Sequence, residues 1–433
     1  MPDSKFPCEL IGKIPHKVRS CFLTILFCMH FLIYMMKMVM PKELMYSMTT
    51  IGGMITSGII FFLFLNAWKW KKCPKSRILY VLLSIVAVSF LSAGIVFSVL
   101  GYLAIGCSFI FFIIIYLFFK EEVYNNLFFH FARGASISLV FCIVICIIAC
   151  PMSGEAYSAF WGNTNLFANY LATMAPCILY MIEKSQNKKI YWGYLFLFGM
   201  LFSLILFSRS RTGLLSIIVV LLLWVGYKIF TCGNRKVLLR RIGGVLGIML
   251  IGVPITFGIL SNLSYEITQI TKVSITEILK KADFEETLNN TARRALKGVV
   301  DDGSFSSGRS DIWADYLNHI EWSGHEKEER VEQTGGRVYS TNAHNTYLQV
   351  AYSAGAIAGV AFLLFMCIIL WRGIKRYRRC LQLGIEDTNV LFCITMVMAF
   401  FVHSGLASVY APFTYPITLG FWYSIILLFR ETR

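Results

Sequence analysis

The sequence predicts an all-α, polytopic integral membrane protein of about 12 transmembrane helices, with one long extracytoplasmic loop between spans 9 and 10. Three observations point there. The 433 residues are 57% apolar and only 15% charged, against about 25% charged in ordinary soluble chains. The apolar residues also come in blocks: residues 78–119 and 388–429 each run 42 residues without Asp, Glu, Lys or Arg. A helical span takes roughly 20 residues, so each block holds two. Finally, the spacing is not the alternation of a barrel strand, and backbone in lipid must satisfy its own polar groups, which leaves helices.

Spans are expected near 20–40, 44–66, 78–97, 100–119, 134–151, 165–182, 190–208, 212–230, 242–262, 345–371, 388–408 and 411–429. They divide the chain into spans 1–9 (1–262), an outer loop (263–343) and spans 10–12 (344–433). Residues 1–19 read as an interfacial lead-in with no cleavable leader apparent. A net charge of +16 invites a nucleic-acid partner, but the distribution argues against one. With the N-terminus inside, 26 of the 40 Lys and Arg fall in inside segments and ten in the long loop, where fourteen acidic residues outnumber them. The positive-inside rule then places both termini in the cytoplasm and 263–343 outside. None of the 13 cysteines lies in that loop, so small buried hydrophobes are expected and no disulfide framework.

Spans 1–5 carry few polar features and read as scaffold. Span 6 opens with Gly162-Asn163-Thr164-Asn165, whose asparagines either cap the helix or face a substrate. Spans 7 and 8 meet at Phe207-Ser208-Arg209-Ser210-Arg211-Thr212-Gly213, two arginines pinned at the outer edge against the positive-inside trend. An arginine at mid-bilayer costs about 2.5–3.5 kcal/mol on insertion scales. Either the pair snorkels to headgroups or it serves a site. In the long loop, 265–300 has amphipathic spacing and is expected to lie over the membrane mouth. A helix is expected after Gly308-Arg309, capped by Ser307 or Ser310, with Trp313, Leu317 and Ile320 on one face. Residues 321–336 read as a mobile charged loop. Span 10 begins at His344-Asn345, and Ala351, Gly355 and Gly359 offer a small-residue face for close helix packing that would hold His344 rigid. His403 in span 11 reads as a hydrogen-bonded structural histidine.

No phosphate-binding loop, zinc spacing or dinucleotide turn appears, and Asp301-Asp302 beside glycine reads as a turn. The outer face is left with Arg211, Arg309, His344 and the neighbouring Arg209. Two or more guanidiniums suit a diphosphate, each offering two parallel hydrogen bonds. Arg309 at a helix N-terminus adds backbone N–H groups to the same anion. A histidine beside them can take a proton from an incoming hydroxyl.

The segments SRTGLL (Ser210–Leu215), GRSDIW (Gly308–Trp313) and AHNTYLQVAYSAG (Ala343–Gly355), in that order, resemble the O-antigen ligase and polymerase family of bacterial membrane glycosyltransferases. GNTNLFANYL of span 6 is similar to it as well, so the likeness covers roughly 155 to 371. The resemblance implies a glycan donor on undecaprenyl diphosphate, inverting transfer without metal or other cofactor, and a location in the bacterial inner membrane with the site on its outer face. Acceptors would be a lipid, a wall polymer, a protein or another repeat unit. By the same likeness Arg211 and Arg309 hold the diphosphate and His344 is catalytic, while Arg209, Asn163, Asn165 and Asn345 are substrate-binding candidates. The doubled arginine departs from the family pattern and leaves the role of Arg209 open. Ligase and polymerase share this chemistry. The rival class is a transporter or lipid flippase, but no internal repeat or midplane charge supports one.

Overall fold

The computed structural model describes residues 15–36, 52–59, 76–118, 121–153, 155–271, 282–300, 309–327, 330–334 and 337–429. Its helices in chain order are α1 (His16–Met36), α2 (Arg77–Val96), α3 (Leu100–Phe118), α4 (Glu121–Ala149), α5 (Thr164–Lys184), α6 (Lys188–Ser208), α7 (Arg211–Thr231), α8 (Arg235–Gly258), α9 (Ser264–Thr271), α10 (Phe284–Val300), α11 (Arg309–Asn318), α12 (Thr346–Ala354), α13 (Ala356–Leu383), α14 (Thr388–Leu406) and α15 (Pro416–Ser424). Among the described residues, ten helices are long and apolar enough to cross a membrane, so the chain is a multi-pass membrane protein.

Four expectations need correcting or bounding. The second expected span, 44–66, lies mostly outside the described residues, where only 52–59 is seen, as helix. Span 9 does not stop near 262: α8 passes through a π turn at Ile259–Leu263 into α9. The extension is held against α4, where Ser264 Oγ donates to the Cys146 carbonyl at 3.1 Å. The last span is short, because α15 begins only at Pro416, which favours a first helical turn, and ends in a 3₁₀ stretch, Ile425–Phe429. The fold is also not purely helical. Within the segment read as a mobile loop, β1 (Arg330–Thr334) forms a strand that pairs antiparallel with β2 (Arg337–Thr341) just beyond it, Val331 opposite Ser340. Between them the sequence is Gly335-Gly336, the kind of dipeptide tight hairpins favour, which lies outside the described residues.

The largest departure is in span 10, which breaks at Gly355 into α12 and α13. Gly355 takes φ 95°, a left-handed conformation open to glycine, and a Cβ there would stand 2.1 Å from the Trp322 carbonyl oxygen. The small-residue face is real but serves this break. A Cβ on Gly359 would come within 2.4 Å of the Ala351 methyl, so the two halves of the same span fold onto one another.

The bundle is built around α5, buried throughout from Phe167 to Ile182 and packed by α4, α6, α7, α14 and α15. The end of the bundle away from the long loop is tied by ions. Lys228 near the end of α7 pairs with Glu183 of α5 at 2.5 Å, and both side chains are 1% exposed. Lys228 also pairs with Glu386, and Arg241 reaches Glu183 at 2.6 Å and Glu386 at 3.3 Å. Trp224 Nε1 donates to the other Glu183 oxygen at 2.9 Å. The described cysteines are all free, most of them buried.

Candidate active site

The first arginine-bearing element is fixed by a two-residue turn. α6 ends at Ser208 and α7 begins at Arg211, so only Arg209 and Ser210 reverse the chain. Arg209 does this in a left-handed conformation, φ 53°, with its N–H donating to the Leu206 carbonyl at 3.1 Å. Ser210 caps α7 by accepting from Gly213 N–H at 3.4 Å, and its hydroxyl donates to Asn165 Oδ1 at 3.0 Å. Gly213 allows the first turn of α7 to press on α5, where a Cβ would stand 2.8 Å from that of Ala168. Asn165 therefore braces the turn that carries Arg211. Asn163 is the cap of α5, its oxygen accepting from the N–H groups of Asn165 and Leu166 at 2.8 and 3.3 Å.

Arg309 opens α11, so its guanidinium leaves from a helix N-terminus as expected. Ser310 lies inside the helix rather than before it, and Ser307 is outside the described residues. The docked face is also not the expected one: Leu317 is 57% exposed, whereas Tyr316 is fully buried. Tyr316 packs with Ala343, Tyr352, Ile312 and Leu348, its ring edge-on to Tyr352 at 4.7 Å. Beyond α11, His325 stacks on Tyr352 at 3.9 Å and donates from Nδ1 to the Tyr352 carbonyl at 3.1 Å. Ala356 N–H donates to the Glu321 carbonyl at 2.9 Å, and a Cβ on Gly324 would meet the Ser353 oxygen at 2.3 Å. The loop is thus clamped to both sides of the Gly355 break. That break is what lets a soluble helix dock beside the histidine.

His344 sits in the turn before α12 with φ 47°, uncommon for a residue with a Cβ. Its N–H donates to Asn342 Oδ1 at 3.0 Å. Asn345 caps α12 through Tyr347 and Leu348 N–H groups at 3.0 and 3.2 Å and donates from Nδ2 to the Gly405 carbonyl at 3.3 Å. Thr346 closes the turn on the segment after α14, accepting from Val409 N–H at 2.8 Å and donating to the Ala407 carbonyl at 2.8 Å. Gln349, Asn342 and Ser408 complete this corner. None of the last four was singled out from sequence, although a glutamine within an apolar helix is itself a signal.

Electrostatics define which groups face one another. Burial, followed by the nearby Arg309 charge, lowers the His344 pKa below its ordinary value. Arg309 in turn is lowered by burial and by Arg211. Arg309 therefore lies within electrostatic reach of both His344 and Arg211, and burial with the Arg309 charge favours the neutral imidazole. Arg209 has different surroundings: it is 9% exposed, and after burial the charges that act on it are Arg294 and Glu286 of α10, with Glu155. Asn163, Asn165 and Asn345 serve in caps and braces around these groups. His403, as expected, is buried and bonded, Nδ1 to Ser216 Oγ at 2.9 Å.

No curated protein matches the chain. A protein family described as O-Antigen ligase matches residues 195–363, a stretch that contains Arg209, Arg211, Arg309, His344 and Asn345. The match supports a function of ligase or polymerase type, with a lipid-linked glycan donor and a glycan acceptor implied by the family. The match to the O-antigen ligase family over residues 195–363 supports the likeness to the O-antigen ligase and polymerase family that the sequence motifs carry.

Proposed function

We propose that this protein transfers a glycan from undecaprenyl diphosphate to an acceptor hydroxyl on the outer face of the bacterial cytoplasmic membrane. The observation that carries the reading is that Arg309 lies within electrostatic reach of both Arg211 and His344, each residue coming from a separate element. In this reading the acceptor oxygen attacks the anomeric carbon from the face opposite the leaving group, inverting it. The carbon–oxygen bond to the diphosphate breaks, and its electron pair departs with undecaprenyl diphosphate. The hydroxyl proton passes to the His344 imidazole. Arg211 and Arg309 hold the diphosphate and stabilise the charge it gains, an effect worth about 3–4 kcal/mol per donor in comparable sites. A metal ion is then dispensable.

Residues 1–262 and 344–433 form the membrane scaffold in this reading, and 263–343 is an outer cap. The basic ends of the helices support cytoplasmic termini, since Lys184, Lys188, Lys189, Arg235 and Arg372–Arg379 all lie at the end of the bundle opposite the site. Purified protein, lipid-linked glycan and candidate acceptors test the proposal by gel. A single discrete product identifies a ligase and a ladder identifies a polymerase. No product, with donor moved across vesicles, would make the protein a transporter and reject the reading.

A further inference from the structure

The side chain of Gln349 is fully buried in α12. An amide in such a place is costly unless it is bonded, and its bonds converge on the turn that bears His344. Oε1 accepts from Ala343 N–H at 2.9 Å and lies 3.3 Å from the Ser408 hydroxyl. Nε2 donates to Ser353 Oγ at 3.2 Å, which orients the amide so that its oxygen faces the turn. The next backbone N–H, that of His344, is taken by Asn342 Oδ1, and the Ser408 hydroxyl lies 3.5 Å from that same oxygen. Two successive N–H groups are thus each fixed by a side-chain oxygen, and one hydroxyl from the segment after α14 reaches both oxygens.

We infer that Gln349 is a positioning residue for His344, holding the turn at Ala343 so that His344 keeps the left-handed conformation that aims its imidazole. The inference rests on the proposed role of His344 as proton acceptor. Its logic is local. Without Oε1, the buried Ala343 N–H has no acceptor in place, and the turn gains by leaving a conformation that disfavours a residue with a Cβ. A ring displaced by about 1 Å from a reacting hydroxyl loses on the order of 100-fold in rate. Arg211 is held by α5 and α7, outside this clasp, so donor binding should be largely spared.

Donor affinity, turnover at saturating donor and thermal melting of the purified full chain test this in three variants. Gln349→Leu should lower kcat by roughly 10- to 100-fold while donor Kd stays within about threefold. Gln349→Glu keeps an oxygen toward Ala343 N–H in either protonation state and should retain kcat within about threefold. His344→Ala is the control. If His344→Ala turns over normally, the site reading itself has failed. If it is inactive while Gln349→Leu is normal, only this inference is overturned. Equal loss of kcat in the Leu and Glu variants, or loss of donor binding in step with kcat, also overturns it, because the oxygen would then not be what matters. Should Gln349→Leu not fold, Gln349→Glu decides: a folded Glu variant with collapsed turnover rejects the role.

Discussion

Arg309, the first residue of α11, stands close enough to His344 that its charge disfavours protonation of the imidazole, reinforcing the effect of burial. One residue lies in the loop and the other at the start of a broken membrane helix. Their proximity therefore depends on Tyr316 seating α11 against Ala343 and Tyr352.

This relationship sets the expected pH dependence. A base is active when deprotonated, and the His344 pKa is lowered, so kcat/KM should fall on acidification with a midpoint below about 6.5, the ordinary histidine value. Burial is the larger cause and Arg309 the smaller. Arg309→Gln should therefore move the acid limb upward only part of the way, beyond its loss of rate. An acid limb that stays put in Arg309→Gln, or moves down, would contradict the arrangement.

The two arginines of the α6–α7 turn should separate by phenotype. Arg211 neighbours Arg309, and Arg211→Ala is expected to cut turnover by roughly 100-fold, as removal of one charge-stabilising donor does. Arg209 faces α10, and Arg209→Ala should keep kcat within about fivefold while lowering the melting temperature, since a nearly buried side chain is removed. Kinetics and melting on the same preparations check both halves.

Which features could be read in advance follows from the kind of signal each one leaves. The spans were legible because long uncharged blocks have no other home, and Arg309 and His344 stood out because they carry distinctive side chains in a recognisable order. The different surroundings of Arg209 and Arg211 were not legible, since two residues at the same membrane edge differ only through a left-handed turn that arginine does not advertise. Ala351, Gly355 and Gly359 fit an unbroken helix as well as a folded one, so their spacing hid the break. Apolar periodicity counts Leu317, which is exposed, and discounts Tyr316, whose ring is the true anchor.

The ion cluster at the other end of the bundle predicts a non-additive stability pattern. Lys228→Met leaves Glu183 buried without its closest cation and should cost about 3–5 kcal/mol. Lys228→Met combined with Glu183→Leu removes both charges and should recover part of that loss. Chemical or thermal unfolding in detergent measures it, and a double variant less stable than the sum of the singles would contradict the account.

Sidedness can be read with a single thiol. Ser323 is exposed on the loop clamped beside Gly355. In a background lacking exposed native cysteines, Ser323→Cys should react with an impermeant reagent on intact cells. Labelling only after lysis would turn the proposed topology over.

The Gly355 break also separates two mechanical tasks. α13 spans the bilayer and must tilt as membrane thickness changes. α12 is stitched at its start to Gly405 and Ala407–Val409 and flanked at its finish by the clamped 321–325 loop. Tilt of α13 is then absorbed at a residue with no side chain to resist it, and the histidine does not ride on the membrane anchor. Transfer rates measured in nanodiscs of short- and long-chain lipids should accordingly stay within about twofold of one another, whereas a rigid single-helix span 10 would carry every change in thickness straight to the imidazole.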